Sequence, residues 1–141
     1  IEDYLHHYSK VDGFMKQLIE VAKEKGYSET VFHRRRPLPE LRASQAMMRN
    51  FGERVARNMP IQGTAADIIK IAMVKVYDAI KEQGLKSRLI LQVHDELIIN
   101  TYEDEKDIVA KLLVENMESA YDLAVKLKAD LNVGDNWYEL K

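Results

Sequence analysis

Residues Gln92-Val93-His94-Asp95-Glu96-Leu97 set one imidazole and two carboxylates side by side. Apolar runs flank them: Leu89, Ile90, Leu91 and Val93 before, Leu97, Ile98 and Ile99 after. Runs this short and this rich in aliphatic residues read as buried strands, which makes the acidic tip a hairpin turn. Adjacent residues of a regular strand face opposite sides, but in a turn Asp95 and Glu96 can converge in part. A site of this kind holds Mg²⁺ through one or two carboxylates, completed by substrate phosphates and water. The bland alternative is an ordinary polar turn. No second carboxylate segment stands out to complete a two-metal site; Asp67 reads as a helix-start acid, and Asp130 and Asp135 stay open.

A second set of residues could read nucleic acid. Arg54 stands one helical turn before Asn58, and Gln62 follows just after Pro60. Guanidinium and amide donors match the purine N3 and pyrimidine O2 acceptors of the minor groove, which every base pair presents. Such contacts suit a protein that must accept any correct pair. The competing reading of Gln62 is local: an amide that satisfies loose backbone donors at a helix start. Between His33 and Arg57 lie seven arginines, two acids and no lysine, a surplus of five positive charges. Arginine is the better fork for phosphate and base edges, although a charge run also serves as a solvated face. From Thr101 to Lys141 ten acids face five lysines, so the chain is bipolar although its net charge is only −2.

Length and composition bound the rest. The 141 residues, 46% hydrophobic and 31% charged, suit one globular domain with a moderate core. No apolar run approaches the roughly 20 residues of a membrane span, and no signal-peptide pattern is present. With no cysteine, disulfides and thiolate metal sites are excluded. A start at Ile1 suggests a fragment or a processed product.

The elements that must position these residues follow from periodicity and breakers. Ile1 to about Lys25 has helical spacing and stops at Gly26. His6 and His7 point to different sides of that helix and make a poor metal pair. Tyr27–Phe32 reads as a short strand. Pro37 and Pro39 keep His33–Leu41 extended, an arm bearing Arg34, Arg35 and Arg36 that serves either as a connector or as a nucleic-acid contact. Ser44 is placed to cap a helix reaching about Asn58, with Asn50, Arg54 and Asn58 in one row. Pro60 is expected to break it, and Thr64-x-x-Asp67 to cap a second helix from about Ala65 to Gln83. After the hairpin, Glu103-Asp104-Glu105 opens a helix to about Val125. Lys128–Val133 alternates as a half-buried strand does. Helices packed on an antiparallel sheet that carries the hairpin make an α+β domain.

Taken together the motifs resemble the C-terminal part of the family A DNA polymerases, the bacterial DNA polymerase I group. The matching residues are Gly26-Tyr27 with Glu29-Thr30, Arg34-Arg35-Arg36 with Leu38-Pro39, Glu53-Arg54, Asn58 through Ile69, Leu91 through Ile98, and Gly134 to Trp137. They span nearly the whole chain in order, and Gln92–Leu97 is similar to the family's motif C. The resemblance implies a right-hand polymerase, with residues 1–41 ending the fingers and residues 42–141 forming the C-terminal half of the palm. It implies that Asp95 is a metal ligand, that Glu96 supports the site and that His94 lies beside the primer terminus. Arg54, Asn58 and Gln62 are then contacts to primer–template DNA. The implied reaction is attack of a primer 3′-hydroxyl on a deoxynucleoside triphosphate (dNTP), assisted by two Mg²⁺ ions.

By the same resemblance, motif A with its essential aspartate, motif B and the thumb would all lie upstream of Ile1. These are the partners the chain needs, and alone it is expected to be inactive. The implied location is the cytoplasm, at the nucleoid, with no membrane. Two rivals stand beside this reading. One is a non-catalytic DNA-binding module on a polymerase scaffold. The other is an HD-type metal phosphohydrolase, which needs further histidines and usually carries its His-Asp pair on a helix.

Overall fold

The computed structural model describes residues 9–140; His6, His7 and the start of the first expected helix lie outside them. In chain order come helix α1 (Ser9–Lys25), strands β1 (Tyr27–Glu29) and β2 (Arg35–Pro37), and a 3-10 turn (Pro39–Arg42). Helix α2 (Ala46–Glu82) leads to strands β3 (Arg88–Val93) and β4 (Glu96–Asn100). A 3-10 turn (Glu103–Glu105), helix α3 (Lys106–Glu118) and a last 3-10 turn (Trp137–Leu140) follow. Among the described residues the strands form two separate antiparallel pairs, so the chain is α+β, as its sequence implies. Two compact units divide between Ala65 and Ala66.

In the first unit the β1–β2 hairpin pairs Tyr27 with Pro37 and Glu29 with Arg35. Its small core joins Ala22 of α1 to Leu38, Leu41 and Ala56, with Ile19 and Val55 packed against them. Lys23 of α1 reaches Glu53 of α2 at 3.1 Å.

In the second unit Ile69, Ala72, Val76 and Ile80 form the inward stripe of α2, at helical spacing. Leu97 of β4 and Leu112 of α3 close on that stripe, and Leu89 and Ile99 pack at its edge. Gly84, at φ 65°, lets α2 end: the Leu85 amide turns back to the Ile80 carbonyl at 3.1 Å. One extra residue in β3 bulges the hairpin, because Leu89 pairs with Ile99 while Leu91 already pairs with Ile98. The hairpin packs against helices, as expected, but through Leu97, Leu89 and Ile99; Ile90 and Leu91 are exposed, so β3 is not the buried strand its aliphatic run predicts.

Several expected boundaries are corrected. The strand at Tyr27 ends at Glu29 rather than Phe32, because the chain turns there: the His33 amide bonds the Thr30 carbonyl at 2.9 Å. Ser44 does not cap α2; the Gln45 carbonyl accepts the Arg49 amide at 3.2 Å, so the helix begins one residue later. The Lys128–Val133 strand is absent, since this stretch pairs with no other strand among the described residues, and Leu131 and Val133 are exposed. Helix α3 stops at Glu118 rather than Val125. Lys75 holds the Ser119 carbonyl at 2.6 Å, Ala120 is buried, and Ala124 is exposed.

The largest correction concerns Pro60. There is one helix, not two, and Pro60 lies inside it. Proline in a helix interior leaves the carbonyl four residues back without its N–H partner, at about 3 kcal/mol. That carbonyl belongs to Ala56, which is fully buried. The Ser28 hydroxyl of β1 donates to it at 3.4 Å. Thr64 is likewise no cap: its hydroxyl donates to the Pro60 carbonyl and accepts the Val31 amide at 3.2 Å.

Candidate nucleic-acid interface and acidic hairpin

Because α2 continues through Pro60, Gln62 falls four residues after Asn58 and eight after Arg54, on one face of the helix. All three side chains are exposed. They border a groove of about 500 Å³ in the first unit, whose other walls include Arg34, Arg36, Phe51, Met59 and Gly63. Thus Gln62 is not a cap residue beside a break but the next member of the Arg54–Asn58 row. At 1.5 Å per residue the row covers about 12 Å.

Strand alternation sorts the arginine arm. Arg35 turns away from the groove, bonds Glu29 at 3.3 Å and lies 4.6 Å from the centre of the Tyr27 ring. Arg34 and Arg36 take the groove side, and Arg34 also donates to the Gly63 carbonyl at 3.0 Å. Arg49 holds the carbonyls of Ala43 and Ser44, and Arg57 bonds the Glu53 carbonyl. Arg54 lies 5.9 Å from the Phe51 ring centre, which steadies it at the groove edge. Within the arm Arg34 and Arg36 are groove residues and Arg35 is not, a division that the spacing of three consecutive arginines does not show. Alternation from Pro37 back through β2 was the signal that could have done so.

The acidic residues sit in the second unit. His94 and Asp95 form a two-residue turn, and Glu96 is already paired with Val93 as the first residue of β4. His94 lies at φ 53°, in the left-handed region that a histidine enters only at a cost. Gln92 braces this conformation, donating its side-chain amide to the His94 carbonyl at 2.7 Å. His94, Asp95 and Glu96 are all exposed.

The base of the hairpin is clamped by a buried carboxylate, one that the sequence predicts only as a helix-start acid. Glu105 accepts the amides of Lys86 and Ser87 at 2.8 Å each and the Ser87 hydroxyl at 2.6 Å. The same hydroxyl accepts the Tyr102 amide at 3.1 Å. The Lys86 amide and the Ser87 hydroxyl hold the Glu105 carboxyl below its ordinary range, against the opposing effect of burial.

The tip offers oxygen donors, the hard ligands that Mg²⁺ prefers. Among the described residues no three histidine, aspartate or glutamate side chains converge. Asp130 and Asp135 stand in irregular chain beyond α3. Asp95 and Glu96 thus offer carboxylate oxygens of the kind Mg²⁺ takes, without forming a metal cluster among the described residues.

Comparison with known proteins agrees across the chain. Residues 1–139 match the sequence profile described as DNA polymerase family A. The whole chain aligns with the protein named DNA polymerase I of Bacillus subtilis (strain 168) at 48% identity, covering 16% of that protein. It aligns with the DNA polymerase I of Lactococcus lactis subsp. lactis (strain IL1403) at 45% over 16%, and with the thermostable DNA polymerase I of Thermus aquaticus at 42% over 17%. The chain thus spans about one sixth of the length of these relatives. A solved structure, the POL domain of Pol1 from M. smegmatis in complex with DNA primer-template and dNTP, superimposes with a TM-score of 0.88 at 46% identity. That match covers 90% of this chain and 22% of the other.

Proposed function

This chain belongs to DNA polymerase family A, and from that we propose that it serves within a template-directed DNA polymerase adding dNTPs to a primer 3′-hydroxyl. The observation that carries the reading is the exposed row Arg54, Asn58, Gln62 beside a groove walled by Arg34 and Arg36. A row of about 12 Å matches three to four base-pair rises of 3.4 Å. Its amides and guanidinium donate to minor-groove acceptors common to all pairs, with Gln62 nearest the primer terminus. The arginine wall takes the phosphates.

In this reading residues 1–41 end the fingers, and residues 42–141 form the C-terminal half of the palm. Asp95 is the metal ligand at the hairpin tip, Glu96 supports it, and His94 stands beside the primer terminus. Asp95 would hold Mg²⁺, two ions in the intact site, and the metal would supply charge stabilisation for the transfer. The chain's own part is positioning: the Glu105 clamp fixes the base of the hairpin and Gln92 fixes its turn. A second carboxylate segment, the nucleotide-holding fingers helix and the thumb are its partners, together with primer–template DNA and dNTP. The 141 residues alone are inactive on this account. The reading places the work in the cytoplasm, at the nucleoid; no described helix is long and apolar enough to cross a membrane.

The test removes the acceptor rather than the donor. A 3-deazapurine in the primer's terminal pair lacks the minor-groove nitrogen. In the polymerase that carries this segment, the substitution slows extension, and Gln62→Ala abolishes its effect. If the analogue slows wild type and Gln62→Ala equally, Gln62 does not read the terminal pair.

A further inference from the structure

We infer that the β1–β2 hairpin is a brace that keeps α2 helical through Pro60, making Ser28 and Thr64 positioning residues for the DNA-reading row. The inference rests on the reading of Arg54, Asn58 and Gln62 as the primer–template contact, and it deepens that reading. Pro60 stands between Asn58 and Gln62. Sharp helix kinks fall at prolines, and a slip of one residue turns a side chain by about 100° around the axis. Either would take Gln62 out of line with Arg54 and Asn58.

Three contacts from one hairpin prevent this. The buried Ser28 hydroxyl donates to the Ala56 carbonyl that Pro60 orphans. The Val31 amide bonds the Thr64 hydroxyl, which itself bonds the Pro60 carbonyl. Arg34 holds the Gly63 carbonyl. The hairpin comes this close because Gly63 has no side chain: a Cβ there would stand 2.8 Å from the Thr30 methyl. Neither Ser28 nor Thr64 lines the groove. Any influence they have on DNA must pass through the helix.

The experiment uses the polymerase that carries this segment. Single-turnover extension is measured from matched and mispaired primer termini, in Ser28→Ala and Thr64→Val, with Ser28→Thr and Thr64→Ser as hydroxyl-retaining partners. The expected result is a matched-to-mispaired ratio lowered about fivefold in the first pair, the scale of one hydrogen bond, and restored in the second. In a Gln62→Ala background, the same substitutions lower the ratio no further. If Ser28→Ala and Thr64→Val reduce the melting temperature but leave the ratio intact, the brace is only structural and the inference fails. If Gln62→Ala by itself leaves the ratio unchanged, the underlying reading of the row fails instead. Should Ser28→Ala not fold, Thr64→Val, which keeps the side chain's shape, decides between the same outcomes.

Discussion

Gly63→Ala sets two effects of known size against each other. Gly63 is an interior residue of α2, so on helix propensity alone alanine gains about 1 kcal/mol. The new Cβ, however, would lie 2.8 Å from the Thr30 methyl, 3.4 Å from an Arg34 nitrogen and 3.5 Å from the end of Met59. The methyl cannot simply swing aside. The Thr30 hydroxyl on the same carbon accepts the amides of Phe32 and Arg34 at 3.3 Å each, and Thr30 is buried. Overpacking of this kind costs about 1–3 kcal/mol. The net is a loss of about 1 kcal/mol, lowering the melting temperature by about 3 °C. Thr30→Ser removes the obstructing methyl and keeps the hydroxyl. In that background Gly63→Ala should instead raise stability by close to 1 kcal/mol, a coupling of about 2 kcal/mol between the sites. Thermal melts of the four proteins of the cycle measure it. A Gly63→Ala single variant that is more stable than wild type would refute the close approach of hairpin and helix.

Two further predictions concern the acidic hairpin. Because the folded-state carboxyl of Glu105 is held low, its contribution is present above the usual carboxylate range near pH 4.3 and is lost as pH falls through its folded value. Amide exchange at Lys86 and Ser87 should therefore stay protected from neutral pH down to about pH 4 and accelerate only below it; loss of protection between pH 8 and 6 would contradict the clamp. His94→Gly relieves a left-handed residue by about 1 kcal/mol but adds unfolded-state freedom of similar size. Its melting temperature should stay within about 2 °C of wild type while primer extension falls, and unchanged extension would remove His94 from the site.

The sequence made the hairpin legible because aliphatic runs and an acidic turn are local signals. Residues Leu89–Ile99 pair as the hairpin they read as, but β3 is not the buried strand the aliphatic run predicts: Ile90 and Leu91 are exposed, and the register shifts at Ile90. Pro60 misled because its cost is local and its remedy is not: Ser28 lies 28 residues before the carbonyl it satisfies. The row Arg54, Asn58, Gln62 was thus recognised in its members but not in its geometry. Glu105 was hidden for a similar reason, as its partners Lys86 and Ser87 come from the far side of the hairpin. Alternation at Lys128–Val133 gave a strand pattern, but a pattern makes a strand only where another strand pairs with it.

On the proposed function the work divides between two places: Arg54, Asn58 and Gln62 for primer–template DNA, and the hairpin tip for the chemical step. Asp95→Asn and Arg54→Ala, compared in the polymerase that carries this segment, test that division directly. Rapid-quench incorporation and DNA affinity over a salt series give both readouts. Asp95→Asn should slow incorporation by about a thousandfold or more, the scale of lost metal-borne charge stabilisation, with DNA affinity unchanged. Arg54→Ala should weaken DNA binding across the whole salt series, with a slope change smaller than the roughly 1 of a lost phosphate contact, while sparing the rate at saturating DNA. Near-normal incorporation by Asp95→Asn would contradict the account.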